Sequence, residues 1–256
     1  MKISSLLIIF LGLVPSLAQA DVDVWRQRVV EIMTPAAKEI GLTGIRIVKS
    51  SDYPNNFGSV EIKDQAIEVV IGCEVQLKHP NLSEDAFTYS FCHELGHIFA
   101  GSPFYKDASH LSAEGQADYW AAAVCLKKVF RTFPEVKLTH PDPFVKLNCD
   151  SQFSDLNEQA ICYRIAQAGM DFMTAISFDI AKLGQIDNTG FYRKPEFTRK
   201  ETYFSDGYPT LQCRVETIAA GAFCNTSENN WDKKVTNWSC SNLVAARPGC
   251  WFKNSN

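Results

Sequence analysis

The stretch FTYSFCHELGHIFAGSP, residues 87–103, carries two histidines four positions apart and a glutamate directly after the first of them. Apolar residues surround them at helical spacing, Ser83 predicts the start of a helix, and Gly101 predicts its end. On a helix, side chains four positions apart project from one face about a turn apart. His93 and His97 are therefore predicted to hold one metal ion through their imidazoles, and Zn2+ is the ion that such a pair favours.

A second segment, SAEGQADYWAAAVCLKK at residues 112–128, supplies a third ligand for the metal ion. A catalytic zinc needs three protein ligands and one free position, and Glu114 can complete that set. Asp118 follows on the same helical face, where it can accept the remaining ring N–H of a ligand histidine, in the first place His93. Glu94 is predicted to lie beside the free position and to take a proton from bound water. Read alone, Glu114 and Asp118 would be ordinary acids of a solvated helix.

Periodicity along the rest of the chain predicts an α+β fold, mostly helical, with a small antiparallel sheet before the metal-binding helix. An amphipathic helix is predicted over residues 24–41. Three short β-branched stretches follow, GIRIV, SVEI and AIEVVIG, and the letters KDQ between the last two predict a hairpin turn. Further helices are predicted over residues 112–130 and 155–183, and weak periodicity over residues 184–210 predicts a long loop. Since no repeat or linker interrupts them, residues 21–256 are expected to form one domain.

Taken in order, H-E-x-x-H and E-x-x-x-D make the chain resemble the gluzincin metallopeptidases, and specifically the CAAX prenyl protease, HtpX and BepA group. HELGHIFAG matches the first motif of that group and EGQAD the second, with Gln116 in place of an inner glutamate. GYPTLQCR, residues 207–214, keeps the proline-four-arginine spacing of a third motif. The resemblance implies a zincin-like domain, one Zn2+, and peptide-bond hydrolysis with Glu94 as general base.

The third motif departs from the group at Tyr208, which stands where the family has a histidine thought to stabilise the transition state. A phenol can do the same work, because its hydroxyl donates a hydrogen bond to an oxyanion. Arg214 is predicted to stabilise the oxyanion as well, to hold its loop, or to pair with Glu114 or Asp118. An ordinary arginine at the start of a helix is the alternative.

The resemblance also implies a peptide site, because gluzincins bind extended peptide along the edge strand before the active helix. AIEVVIG, residues 66–72, is the candidate strand. His110 and His140 have no partner at ligand spacing and are predicted to lie at the surface. The aromatic residues of the 184–210 loop either close over the cleft or anchor the loop to the core; they are Phe191, Tyr192, Phe197, Tyr203 and Phe204.

The first twenty residues predict a secretory signal peptide, with a lysine near the start, an apolar run from Leu6 to Val14, and a small-x-small ending, AQA. Cleavage is predicted after Ala20, and no other segment reaches transmembrane length. The mature chain is therefore expected to be secreted or periplasmic and not integral to a membrane. The formal charge of the full sequence is −4, and it becomes −5 when Lys2 leaves with the signal peptide. This charge argues against nucleic acid or an anionic membrane as the main partner. A protein or peptide substrate is the expected partner.

Nine cysteines fall within the predicted mature chain. In an oxidising compartment most of them should pair, and the odd count leaves at least one free. No C-x-x-C pair is present to favour a metal site. Cys92 points about 100° away from His93 on the helix, so a disulfide or a buried thiol is predicted rather than a metal ligand. Cys73 is its candidate partner.

The function predicted from these residues is an exported zinc endopeptidase. One alternative is a zinc-containing binding or chaperone-like module of the same fold without turnover. Glu94 argues against it, because such a module needs no carboxylate at that position. A disulfide-framed interaction protein without any metal is the third hypothesis, and it requires all the motif residues to be accidental.

Overall fold

The computed structural model describes residues 17–54, 56–75, 79, 82–105, 108–133, 141–177, 208–226, 240 and 242–252. The predicted signal peptide lies outside these ranges up to residue 16, and the predicted loop lies outside them up to residue 207, as does His140. The described chain is mostly helical with two small sheets, which confirms the predicted α+β class.

The elements follow one another in this order: α1 (Leu17–Glu39), β1 (Ile45–Ser50), β2 (Ser59–Lys63), β3 (Ala66–Gly72), α2 (Glu84–Phe99), β4 (Phe104–Tyr105), β5 (Ala108–Ser112), α3 (Glu114–Trp120), a π-helical turn (Ala121–Cys125), α4 (Leu126–Thr132), α5 (Pro143–Gln152), α6 (Leu156–Ser177), α7 (Leu211–Phe223) and a 3-10 turn (Leu243–Ala245).

The sheet before the motif has three strands in the order β1-β3-β2. β2 and β3 form the predicted hairpin, and Asp64 and Gln65 take the positive φ angles, 49° and 59°, that a two-residue turn needs. β1 lies parallel to β3, so the prediction of an antiparallel sheet is wrong for this strand. Its direction follows from the connection to β2, which crosses over the end of β3. Gly72 leaves room for that crossing, since a Cβ there would lie 2.3 Å from the Pro54 carbonyl oxygen.

β3 is the central strand, so the prediction that AIEVVIG binds a peptide along its edge is wrong. A peptide can pair only with a strand whose backbone groups are free on one side, and both sides of β3 are paired. Its apolar run reflects burial on both faces, since all but one of its residues are buried. Within the described sheet, β2 has a strand on one side only.

α2 begins and ends where the sequence predicts. The Ser83 hydroxyl accepts a hydrogen bond from the Ala86 N–H at its start, and Gly101, with a φ angle of 77°, follows its end. Every residue of α2 after the first two is buried, so the helix runs through the core. Its amino end is held by Asp85, which accepts two hydrogen bonds from the buried guanidinium of Arg164 in α6.

The helix predicted over residues 112–130 is one helical run made of α3, the π-helical turn and α4. α3 packs directly on α2, and the close point is Gly96 of the HELGH motif. A Cβ on this glycine would meet the backbone of Ala117 at 2.7 to 3.1 Å. The missing side chain therefore lets the two helices approach closely enough for Glu114 and Asp118 to reach the histidines.

Of the remaining helices, α6 packs on α2, and α5 and α7 pack on α6. α5 was not predicted; Asp142 caps it, with a proline at its first position. α6 begins one residue after its predicted start, and the described part ends at Ser177. α7 begins within the third motif and carries its Arg214; it is capped by Thr210 and packs against α6 and α3.

Four disulfides cross-link these elements: Cys92–Cys125, Cys149–Cys162, Cys213–Cys250 and Cys224–Cys240. They confirm that most cysteines pair, and they indicate an oxidising environment. Cys73 is left free and is exposed, so the predicted Cys73–Cys92 pair is wrong. Cys92 faces the π-helical turn after α3 rather than the sheet. In the part of the chain that the structure describes, no helix is long and apolar enough to cross a membrane.

Candidate metal centre

The three predicted metal ligands meet in one buried cluster. His93 and His97 come from α2, Glu114 is the first residue of α3, and one ligand atom of each lies within 4.8 Å of the others. The His93 Nε2 atom is 3.1 Å from Glu114 Oε2, and the His97 Nε2 atom is 3.7 Å from Glu114 Oε1. Atoms bound at about 2.1 Å in a tetrahedral metal site are about 3.4 Å apart. The cluster therefore has the spacing of a set of metal ligands.

Each histidine has its other ring nitrogen fixed by a hydrogen-bond acceptor. The His93 Nδ1 atom is 2.7 Å from Asp118 Oδ1, and the His97 Nδ1 atom is 2.7 Å from the Ser112 carbonyl oxygen. Because these oxygens accept, Nδ1 carries the proton in each neutral ring and Nε2 keeps its lone pair. Both lone pairs then belong to the nitrogens of the cluster, which is the tautomer that a metal requires.

The charges of the cluster favour a cation at its centre. Three buried carboxylates, those of Glu94, Glu114 and Asp118, lie near the single guanidinium of Arg214 in this described cluster. Burial would raise the pKa of Asp118, but Arg214 and His93 outweigh it and lower the pKa to about 2. Burial would lower the pKa of His93, yet Asp118 and Glu114 raise it to about 10, so a proton occupies the metal-free site. A divalent cation would supply the same positive charge.

One oxygen of Glu114 marks where that cation would bind. Oε1 accepts a hydrogen bond from the Tyr105 hydroxyl. Oε2 is buried and accepts none, although His93 Nε2 and Arg214 Nη2 lie 3.1 and 3.2 Å away without completing a hydrogen bond. A metal ion could bind to Oε2 at the side where no hydrogen bond is completed, so the residues fit such an ion.

Arg214 pairs with both acids of the second motif. Its Nε and Nη2 atoms lie 2.7 and 2.8 Å from the two carboxylate oxygens of Asp118, and Nη2 is also 3.2 Å from Glu114 Oε2. The Tyr89 hydroxyl donates to the same Asp118 carboxylate at 2.5 Å. Arg214 also lies in the first turn of α7, so it is both a helix-start arginine and a partner of the acids. Its contacts favour an orienting role over the predicted oxyanion role.

Glu94 lines the cleft directly beside the cluster. Its side chain is 8% exposed, and this burial raises the pKa of the carboxyl above its ordinary value. The carboxylate rests against Gly58, where a Cβ would fall 2.6 Å from Glu94 Cγ and 2.7 Å from Oε1. Gly58 therefore provides the space that Glu94 occupies. The sequence offered no signal for this contact, because 36 positions separate the two residues.

Two phenols approach Glu114 from different parts of the chain. Tyr208 hydrogen-bonds to Glu114, and the charge of this acid together with burial raises the pKa of the phenol. Tyr105 in β4 donates to Glu114 Oε1 and stacks on the His97 ring, with centroids 5.8 Å apart. Burial and Glu114 raise the pKa of Tyr105 too, so both hydroxyls stay protonated and remain donors near neutral pH. Sequence reasoning missed Tyr105, which lies between the two motifs where no spacing rule marks it.

An open cleft of about 560 Å³ leads to the cluster, a volume typical of sites that bind small molecules or peptide segments. The ligands, Glu94, Tyr208 and Arg214 all line it. The start of β2 forms part of its wall, and its apolar lining consists of Phe57, Val60, Leu111, Phe172 and Ile176. His110, by contrast, is exposed on β5 and is not part of the cluster.

Removing the Cys92–Cys125 disulfide should lower both stability and metal affinity. The bond spans 33 residues, and its loss should cost about 3 to 4 kcal/mol through the added entropy of the unfolded chain. It also ties α2, which carries two ligands, to the helical run that begins with the third. Denaturant unfolding and metal titration of Cys92→Ala/Cys125→Ala would measure both effects.

The matched control is Cys149→Ala/Cys162→Ala, which removes a disulfide between α5 and α6 that holds no ligand. Its span of 13 residues predicts a loss of about 3 kcal/mol. Its metal affinity should stay at the wild-type value. Equal losses of metal affinity in the two variants would show that the Cys92–Cys125 bond has no particular role at the site.

Comparison with known proteins identifies no relative of this chain. A scan against protein-family models, a search of curated proteins and a search of solved structures each returned no match. The resemblance to the gluzincin peptidases therefore remains a prediction from the motif residues. The structure itself shows a buried His-His-Glu cluster that could hold a metal ion, at the end of an open cleft.

Proposed function

We propose that the protein is an exported zinc-dependent endopeptidase. The observation that carries this proposal is the position of Glu94, a carboxylate outside the ligand cluster that lies beside it on the wall of an open cleft. Two imidazoles and one carboxylate are the ligand set of catalytic zinc sites, which keep one position for water. A zinc that only stabilised the fold would instead be enclosed by four protein ligands.

The residues of the site divide the work of hydrolysis among them. When bound, zinc would polarise the scissile carbonyl group and lower the pKa of water. Glu94 takes the proton of the attacking water and passes it to the leaving amine nitrogen. Asp118 and the Ser112 carbonyl hold the two imidazoles in the required tautomer. The Tyr208 hydroxyl donates a hydrogen bond to the oxyanion that develops on the substrate carbonyl.

The cleft favours an extended polypeptide as the substrate. β2 has backbone groups on the side away from β3, and a substrate strand can pair with them whatever its side chains are. Apolar side chains such as Phe57 and Ile176 line the same cleft and suit an apolar residue near the scissile bond. Extended segments rich in apolar residues are exposed in unfolded proteins, and the oxidising environment indicated by the disulfides agrees with export.

The test measures metal content together with cleavage of an unfolded protein. Protein purified under native conditions should contain about one zinc ion per chain. 1,10-Phenanthroline should stop cleavage, and added zinc should restore it. His97→Ala should lose both zinc and cleavage because one of three ligands is gone. His110→Ala, which changes an exposed histidine outside the cluster, should keep both.

Two results would count against the proposal. Zinc bound without any cleavage would support the alternative, a zinc-containing binding or chaperone-like module of the same fold. Absence of zinc from the natively purified protein, or unchanged zinc content in His97→Ala, would contradict the proposed metal site. The hypothesis of a disulfide-framed interaction protein would then be left.

A further inference from the structure

We infer that Tyr105 is a positioning residue of the metal centre, whose hydroxyl holds one oxygen of Glu114 so that the other is left for the metal. The inference rests on the zinc site proposed above and concerns a residue that belongs to none of the three motifs. Its basis is the hydrogen bond from Tyr105 to Glu114 Oε1, together with the unbonded state of Oε2.

The two histidine ligands already show the pattern that Tyr105 completes. Each has a hydrogen-bond partner on the side away from the cluster, the Asp118 carboxylate in one case and the Ser112 carbonyl in the other. Tyr105 gives the third ligand, Glu114, a partner through Oε1, and Tyr208 is a second phenol that hydrogen-bonds to this carboxylate. Losing an orienting partner typically weakens metal binding by about 10–100-fold.

The two oxygens of Glu114 differ in their surroundings. Oε1 is occupied by the phenol of Tyr105 and lies 3.7 Å from His97 Nε2. Oε2 accepts no hydrogen bond and lies closer to a ligand nitrogen, 3.1 Å from His93 Nε2. Because Oε1 accepts the hydrogen bond from Tyr105, only Oε2 is left for the metal. The same hydrogen bond restricts rotation of the carboxylate about its Cγ–Cδ bond. Tyr105 therefore favours binding through Oε2 alone.

The position of Tyr105 is fixed by the hairpin that carries it. β4 and β5 pair with each other, and the same hairpin supplies the Ser112 carbonyl that orients His97. The Tyr105 ring also stacks on the His97 ring at an interplanar angle of 29°. Because phenylalanine at position 105 would keep this stacking, Tyr105→Phe removes the hydroxyl while leaving the packing in place.

The experiment compares zinc affinity in Tyr105→Phe and Tyr163→Phe by competition with a chelator. Tyr163 is the matched control, since its hydroxyl also donates to a carboxylate, that of Asp150, outside the cleft. Zinc binding should weaken about 10–100-fold in Tyr105→Phe and stay unchanged in Tyr163→Phe. Cobalt loaded in place of zinc should give a weaker visible absorption band in Tyr105→Phe, because Glu114 can then bind through both oxygens and raise the coordination number.

Three outcomes would overturn the inference. Wild-type zinc affinity and cobalt spectrum in Tyr105→Phe would show that the hydroxyl does not position Glu114, with the zinc site itself intact. An equal loss of affinity in Tyr208→Phe would show that both phenols are needed to hold Glu114 and that Tyr105 has no particular role. A lower unfolding midpoint of metal-free Tyr105→Phe would show that the hydroxyl stabilises the fold rather than positioning Glu114 for the metal. If the wild-type protein binds no zinc at all, the proposed function fails instead.

Discussion

Glu94→Gln should abolish cleavage of an unfolded protein while leaving zinc and the fold in place. Glutamine has nearly the same volume as glutamate, so it fits the space beside Gly58. Its amide cannot take the proton of the attacking water, and loss of a general base lowers the rate by about 10²–10⁴-fold. The measurement is kcat/KM on an unfolded protein substrate, with zinc content and the unfolding midpoint determined on the same sample.

The matched control for this variant is Glu68→Gln. Glu68 is 7% exposed against 8% for Glu94, but it lies on β3 and pairs with Arg46 outside the cleft. Its replacement should keep wild-type activity. Retained cleavage in Glu94→Gln would contradict the role of Glu94 as general base. Loss of zinc in that variant would show that Glu94 is itself a ligand.

The metal cluster could be predicted because most of its ligands are related by spacing within one helix. Two histidines four positions apart on a helix share a face whatever the rest of the fold does, and Ser83 and Gly101 bound that helix through contacts within a few residues. The third ligand required more, namely that a second helix pack closely on the first. Gly96 permits that approach, and a glycine between two ligand histidines is visible in the sequence.

The features that were not predicted depend on contacts between distant parts of the chain. The direction of β1 follows from a loop crossing over Gly72, and the pairing of Cys92 follows from how α2 faces the π-helical turn. Periodicity describes one element at a time and carries neither fact. Tyr105 was missed for the same reason, since its role follows from the path of a short hairpin between two helices. The role of Arg214 could not be chosen from the sequence, because both of its carboxylate partners lie on another helix, α3.

Arg214→Met should destabilise the protein by about 3–5 kcal/mol, because it removes the guanidinium that pairs with two buried carboxylates, those of Glu114 and Asp118. Methionine fills much of the same space, so loss of charge rather than loss of volume dominates. Asp118 is fully buried and takes two hydrogen bonds from the guanidinium. The measurement is denaturant unfolding of the chelator-treated protein near neutral pH, where zinc cannot compensate for the missing charge.

The loss in Arg214→Met should depend on pH in a defined direction. In the wild-type protein the pKa of Asp118 is lowered to about 2, so its contribution is present above the ordinary value of 3.8 and is lost as pH falls toward 2. Without Arg214 the largest cause of this lowering is gone, so the pKa of Asp118 in the folded variant lies above its value in the folded wild-type protein. As the pH falls, Asp118 is protonated first in the variant, and the stability that the variant has lost relative to wild type should shrink.

The control is Arg131→Met, which breaks another two-bond pair between an arginine and a carboxylate. Arg131 and Glu158 are 2.7 Å apart at both contacts, but their side chains are 36% and 26% exposed. Water can replace the lost partner there, so the cost should stay below about 1 kcal/mol and vary little with pH. A loss in Arg214→Met as small as this would contradict the charge argument. It would mean that water reaches Asp118 in the folded protein.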